Sequence, residues 1–270
     1  MISVSALRPF SFLIGIVSAA AAIAAYFGLP IQITVWEIPV DGRIAVLMAA
    51  LVWLRRKGAF NPELSSFGVT GWRLMPAILW FLAPIAVLLV PAFIGMAAGG
   101  VSFKPLDNPE TLLLGALFDI PAVYVFSAFT LLIEEAVFRS LLFRSELQRR
   151  SPLRALLITS VLWLFYCLAD ITGTEGISLP GFAASVMFFF SSSLLWTALA
   201  NSYRTIWYSY SFRIGLAVFN PILLTSMLFE NDAFFAANGI LFISEGILVS
   251  IIMLSISFIL WRKRSTSEVP

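Results

Sequence analysis

Phe129-Thr-Leu-Leu-Ile-Glu134-Glu135-Ala-Val-Phe-Arg139 sets two adjacent carboxylates and a guanidinium inside a run that is otherwise apolar. A lone charge at the centre of a bilayer costs on the order of 3 kcal/mol or more, so the stretch predicts that all three groups are paired or hydrated. Read as a helix, it puts Glu135 and Arg139 one turn apart on one face, where they can form an ion pair. Glu134 is rotated about 100° from its neighbour, which predicts a separate partner on another helix. One carboxylate is then satisfied within its own helix, and the other is aimed into a bundle.

The remainder of the chain places this helix in a membrane. Of its 270 residues 60% are hydrophobic and 12% charged, and the mean hydropathy is +0.96. Long apolar runs without strand alternation predict an all-α, polytopic membrane bundle, because backbone groups in lipid must be satisfied inside helices or closed barrels. About eight transmembrane helices are expected, near 10–29, 44–54, 74–97, 120–143, 153–169, 182–200, 205–228 and 239–261. The second reaches spanning length only if it starts near Pro39 and Arg43 snorkels outward. A break is expected at Asn220-Pro221, and a short interfacial helix is expected just before Ile120. The first span is long for a signal-peptide core and reads as a retained anchor.

Charge placement orients the bundle. Arg8, Arg55 to Lys57, Arg73, the Arg144 to Arg154 group, Arg204 and Arg262 to Arg264 fall on one side of eight spans, and most carboxylates fall on the other. The positive-inside rule then predicts an integral, multi-pass protein of the plasma (bacterial inner) membrane with both termini cytoplasmic. The basic clusters thereby have a topological reading, and no nucleic-acid surface is expected. One domain, residues 1–270, is expected, with membrane lipid around it. Glu245 reads as interfacial.

Depth singles out partners for the central helix. Glu134 lies ten residues from Arg144, about 15 Å along a helix axis, and Arg213 lies nine residues past Arg204. Opposite charges at one level are expected to meet. Cys167, the only cysteine, excludes an intramolecular disulfide and a CxxC metal site. No cluster has zinc-site spacing, so neither a metal nor a cofactor is expected.

Glu134-Glu135-x-x-x-Arg139 followed by Ser-Leu-Leu-Phe resembles the first motif of the CAAX prenyl protease and bacteriocin-processing (Abi) family of intramembrane glutamic-type endopeptidases. The resemblance covers roughly residues 115–220. It implies that Glu134 activates the attacking water together with a histidine from a later helix, while Glu135 and Arg139 support the structure. This chain contains no histidine. The family's second motif is best matched by Trp163-Leu-Phe-Tyr166-Cys167, which puts Cys167 where that histidine is expected; another register puts Asp170 there. The third motif, led in by Thr205-Ile-Trp207, places Arg213 at a second family histidine and Ala217 at the family's asparagine.

Those substitutions bear on chemistry. An arginine facing a carboxylate stabilises its charged form and makes it a poorer base, and the absent imidazoles remove groups able to exchange protons near neutral pH. Three readings stay open. One is a catalytically silent or impaired member that binds a membrane peptide or partner protein. A second is an active intramembrane endopeptidase with Glu134 as base, Arg213, Asn201 or Asn220 at the oxyanion, and Cys167 or Tyr166 assisting. The third is a transporter-like bundle with a structural Glu/Arg cluster.

Overall fold

The computed structural model describes residues 4–27, 32–35, 38–56, 68, 71–103, 120–172, 177–220, 229–231 and 246–267. Among these the chain is predominantly helical. The helices are α1 (Val4–Tyr26), α2 (Gly42–Arg56), α3 (Leu74–Ala97), α5 (Pro152–Thr172), α6 (Leu179–Tyr203), α7 (Trp207–Asn220) and α8 (Ile247–Ser267). The motif helix, α4, is α-helical over Ile120–Glu135, π-helical over Ala136–Leu142 and α-helical again over Phe143–Leu147. Three of the described helices, α3, α5 and α6, are long and apolar enough to cross a membrane.

Local sequence explains several boundaries. Ser178 caps α6, its hydroxyl oxygen accepting from the Gly181 N–H at 3.1 Å, and Pro180 sits in the first turn where it forfeits no helical hydrogen bond. Arg204 ends α6 with a left-handed φ of 56°, and the Ile206 N–H then donates to the Gly68 carbonyl at 3.1 Å. Pro84 and Pro91 lie inside α3 and are both buried, a placement that membrane helices accommodate when neighbouring groups re-satisfy the backbone.

Two expectations for the connections are corrected. The segment before α2 is a hairpin of two short strands, β1 (Gln32–Val35) and β2 (Ile38–Asp41), so the helix starts at Gly42 and not near Pro39. Arg43 does not snorkel outward: it is 7% exposed, and its guanidinium donates to the Tyr166 carbonyl at 2.7 Å and to both carboxylate oxygens of Asp170 at 2.7 and 3.1 Å. A first-turn arginine can reach the end of the neighbouring α5, and that carboxylate outcompetes water for it. A second antiparallel pair joins β3 (Val101–Phe103) to β4 (Phe229–Asn231). The last helix is described over Ile247–Ser267, and its expected start near Gly239 lies outside the described residues. The interfacial helix expected before Ile120, residues 221–228 and Glu245 lie outside the described residues.

Packing brings α7 between α3, α4 and α6, while α5 rests on α1 and α6. The core between them holds Leu88, Val137, Phe138, Leu142, Leu195 and Phe212. Contact of α7 with α3 is backbone-close: a Cβ on Gly215 would lie 2.0 Å from the Phe81 carbonyl oxygen. The outer faces of α1 and α3 are apolar and exposed, with Phe12 71%, Leu79 61% and Phe93 58% accessible. Such a surface suits acyl chains and is costly in water.

Candidate functional site

Glu134, Glu135, Arg139 and Arg213 form one buried cluster where α4 meets α7, their exposures 6%, 0%, 1% and 6%. The expected meeting of Glu134 with Arg213 is present: Arg213 Nη2 donates to Glu134 Oε2 at 2.5 Å. The expected division between the two carboxylates is not. Arg213 Nη1 also donates to Glu135 Oε1 at 3.0 Å, so one guanidinium bridges both acids. Arginine's planar fork reaches two acceptors at once, and the successive glutamates present one oxygen to each prong.

The Glu135–Arg139 pair is present but loose, with Nε 3.7 Å from Oε1. Arg139 lies within the π-helical turn, whose hydrogen bonds run to the fifth residue instead of the fourth. That wider turn carries its guanidinium toward α6, where Nη2 donates to the Ser193 hydroxyl at 3.2 Å. Trp163 and Trp196 lie between the two cations. The Arg139 guanidinium carbon is 4.4 Å from the Trp163 ring centre and that of Arg213 is 4.5 Å from the Trp196 ring centre, within cation–π range. Two carboxylates and two guanidiniums make the cluster neutral, the condition under which buried charges persist.

The remaining oxygens are occupied as well. Tyr166 donates its hydroxyl to Glu134 Oε1 at 3.0 Å, and Ser209 donates to Glu135 Oε2 at 2.5 Å. Each of the four carboxylate oxygens thus accepts from a protein donor. Ser209 was not anticipated from sequence, yet it lies four residues before Arg213 and so on the same face of α7.

Among the described residues no hydrogen bond joins Cys167 to the cluster, although it lies near enough to feel the charges of Glu134 and Arg213. It is 2% exposed and packs in the apolar core, while the residue before it makes the contact to Glu134. Adjacent helical residues point about 100° apart, so the direction in which α5 sends Tyr166 to Glu134 is not the one in which it sends Cys167. Asp170, the alternative, is one turn beyond Tyr166 and is bound to Arg43, its side chain 44% exposed. Ala217 follows Arg213 by one turn and offers no polar side chain. Asn220 ends α7, and Asn201 lines a separate cavity with Arg139 and Arg204. Among the described residues no group of three or more His, Cys, Asp or Glu side chains could hold a metal.

Membrane-length apolar helices and a buried Glu-Glu/Arg cluster on the central helix define a helical bundle fitted to a membrane. Residues 115–219 match the type II CAAX prenyl endopeptidase Rce1-like family, in line with the resemblance read from the Glu134-Glu135-x-x-x-Arg139 motif. No curated protein and no solved structure matches the chain.

Proposed function

We propose that this protein is a multi-pass relative of the CAAX endopeptidases that has lost hydrolysis and retains the fold to hold a membrane-associated peptide or partner protein. The observation that carries this reading is the Arg213 fork on Glu134 and Glu135. A general base must hold a water and take its proton. Here the oxygens of Glu134 are engaged by Tyr166 and Arg213, and no imidazole exists anywhere in the chain to share the proton. Each acid/base contribution amounts to about 10²–10⁴-fold in rate, so losing two leaves little above background.

In this reading the chain is one transmembrane domain of eight spans in the plasma (bacterial inner) membrane, both termini cytoplasmic. The separation of basic from acidic connections supports that topology. Arg213, Glu134, Glu135 and Arg139 then fix the packing of α4 on α7, and Cys167 has no part in chemistry.

The test is cleavage by the full chain reconstituted in liposomes, offered prenylated CAAX peptides and a peptide library. No product above that of Glu134→Gln is expected. Cleavage that Glu134→Gln abolishes would overturn the proposal in favour of an active endopeptidase with Glu134 as base.

A further inference from the structure

At the end of α5 away from the basic turn, a second ion pair touches the Glu134 centre through a single side chain. Arg43, in the first turn of α2, is 7% exposed, while the Asp170 side chain that it binds is 44% exposed. Its guanidinium holds three things at once. It donates to both Asp170 oxygens, it donates to the Tyr166 carbonyl at 2.7 Å, and its carbon stands 4.7 Å from the centre of the Tyr166 ring. The hydroxyl of that same ring is the donor to Glu134 Oε1. One arginine and one tyrosine thus link a half-exposed carboxylate to the buried cluster.

The apolar packing around this chain of contacts is incomplete. The helix that carries Arg43, α2, has 15 residues and rests on α1 and α4. Beside Tyr166, a small apolar cavity lies among Leu13, Ile14 and Val17 of α1 and Val46 and Leu47 of α2. Side chains around such a gap forfeit the dispersion contacts that a filled interface would give them. Bidentate bonds from arginine to a carboxylate are strong and fixed in direction, so the polar clamp is well made where the apolar contact is not. Its acceptor, Asp170, is also the member that water reaches.

We infer that Arg43 is the latch of a cover over the Glu134 centre: bound to Asp170, it closes the first turn of α2 over Tyr166 and fixes that ring on Glu134, and released from Asp170 it lets that turn lift. A helix end held by few contacts opens at a lower free energy than the core beneath it. Arg43 acts through Tyr166 and is therefore a positioning residue. The inference concerns only how the centre is closed, and it holds whether the centre is silent or active. The chain's one cysteine reports on it. Cys167 follows Tyr166 on α5, is 2% exposed, and lies close enough to Asp170 and Arg43 to feel their charges.

The test is the rate at which N-ethylmaleimide labels Cys167 in the full chain in detergent, read by intact mass at a fixed interval below each variant's unfolding midpoint. The unaltered protein is expected to label slowly. Asp170→Asn and Arg43→Gln are expected to label roughly tenfold faster, the scale of one charged hydrogen bond. Arg43→Lys keeps the charge but gives up the two-pronged grip; it is expected to fall between, and it carries the test should Arg43→Gln fail to fold. Gly215→Ala loosens α3 from α7 and leaves the latch intact, so it is expected to lower the midpoint without speeding the label. Unchanged labelling in folded Asp170→Asn and Arg43→Lys would overturn the inference. So would Gly215→Ala labelling as fast as Asp170→Asn, because exposure of the thiol would then follow general loss of stability.

Discussion

Arg213 on α7 bonds Glu135 on α4 at 3.0 Å, although Glu135 has its own arginine one turn along the same helix at 3.7 Å. The interhelical bond is the shorter. Arg213 therefore ties α4 to α7 through both glutamates, beside the bonds from Ser209 to Glu135 and from Tyr210 to the Ala128 carbonyl.

Removing that guanidinium leaves two buried carboxylates facing each other. Arg213→Met is expected to destabilise the protein by about 3–5 kcal/mol, the cost of an uncompensated buried charge. Adding Glu134→Gln to Arg213→Met leaves Glu135 and Arg139 as a neutral pair and is expected to recover much of the loss. Thermal unfolding of the two variants in detergent checks this; a combined variant no more stable than Arg213→Met would contradict a charge-balance role.

Gly215 should tolerate no side chain. With a Cβ only 2.0 Å from the Phe81 backbone oxygen, Gly215→Ala has to push α3 from α7, an overpacking cost of about 1–3 kcal/mol or more. Gly15 on α1, where a Cβ meets nothing within 4 Å, is the control: Gly15→Ala should leave the midpoint unchanged or raise it. Comparable losses in both would show that backbone proximity at Gly215 is unimportant.

Tyr166 and Cys167 are adjacent in sequence but should respond differently. Tyr166→Phe deletes a hydrogen bond to a carboxylate and is expected to cost about 1.5–3 kcal/mol. Cys167→Ala, which removes one apolar atom from the core, should cost less. The native thiol should resist maleimide in the folded protein and react once it is unfolded, because reactivity needs an accessible thiolate. Rapid labelling of the folded chain would place Cys167 in an open site after all.

The same geometry decides which substitutions should restore hydrolysis. Tyr166 is the α5 residue whose side chain bonds Glu134, so an imidazole at that position is the one expected to reach it. Tyr166→His with Arg213→His is expected to yield Glu134-dependent cleavage of a membrane peptide, whereas Cys167→His with Arg213→His is not. Product analysis by mass spectrometry separates the pair, and activity in the Cys167 variant alone would reverse the assignment of faces.

What the sequence determined unaided is whatever depends on composition and on distance along the chain. Apolar run length marked α3 at Leu74–Ala97, and counting residues from Arg144 and Arg204 set Glu134 and Arg213 at one depth, because rise per residue in a helix is constant. The motif Glu134-Glu135-x-x-x-Arg139 likewise pointed to the family across the central helices. Only tertiary structure decided direction. Whether α5 presents Tyr166 or Cys167 depends on its rotation against α4, and Arg43 turns inward because the end of α5 happens to place Asp170 beside it. Glu135 shares Arg213 because a π-helical turn draws Arg139 toward Ser193 and the two indoles. Rotation and helix register arise from contacts between segments far apart in the chain, and spacing within one segment carries no record of them.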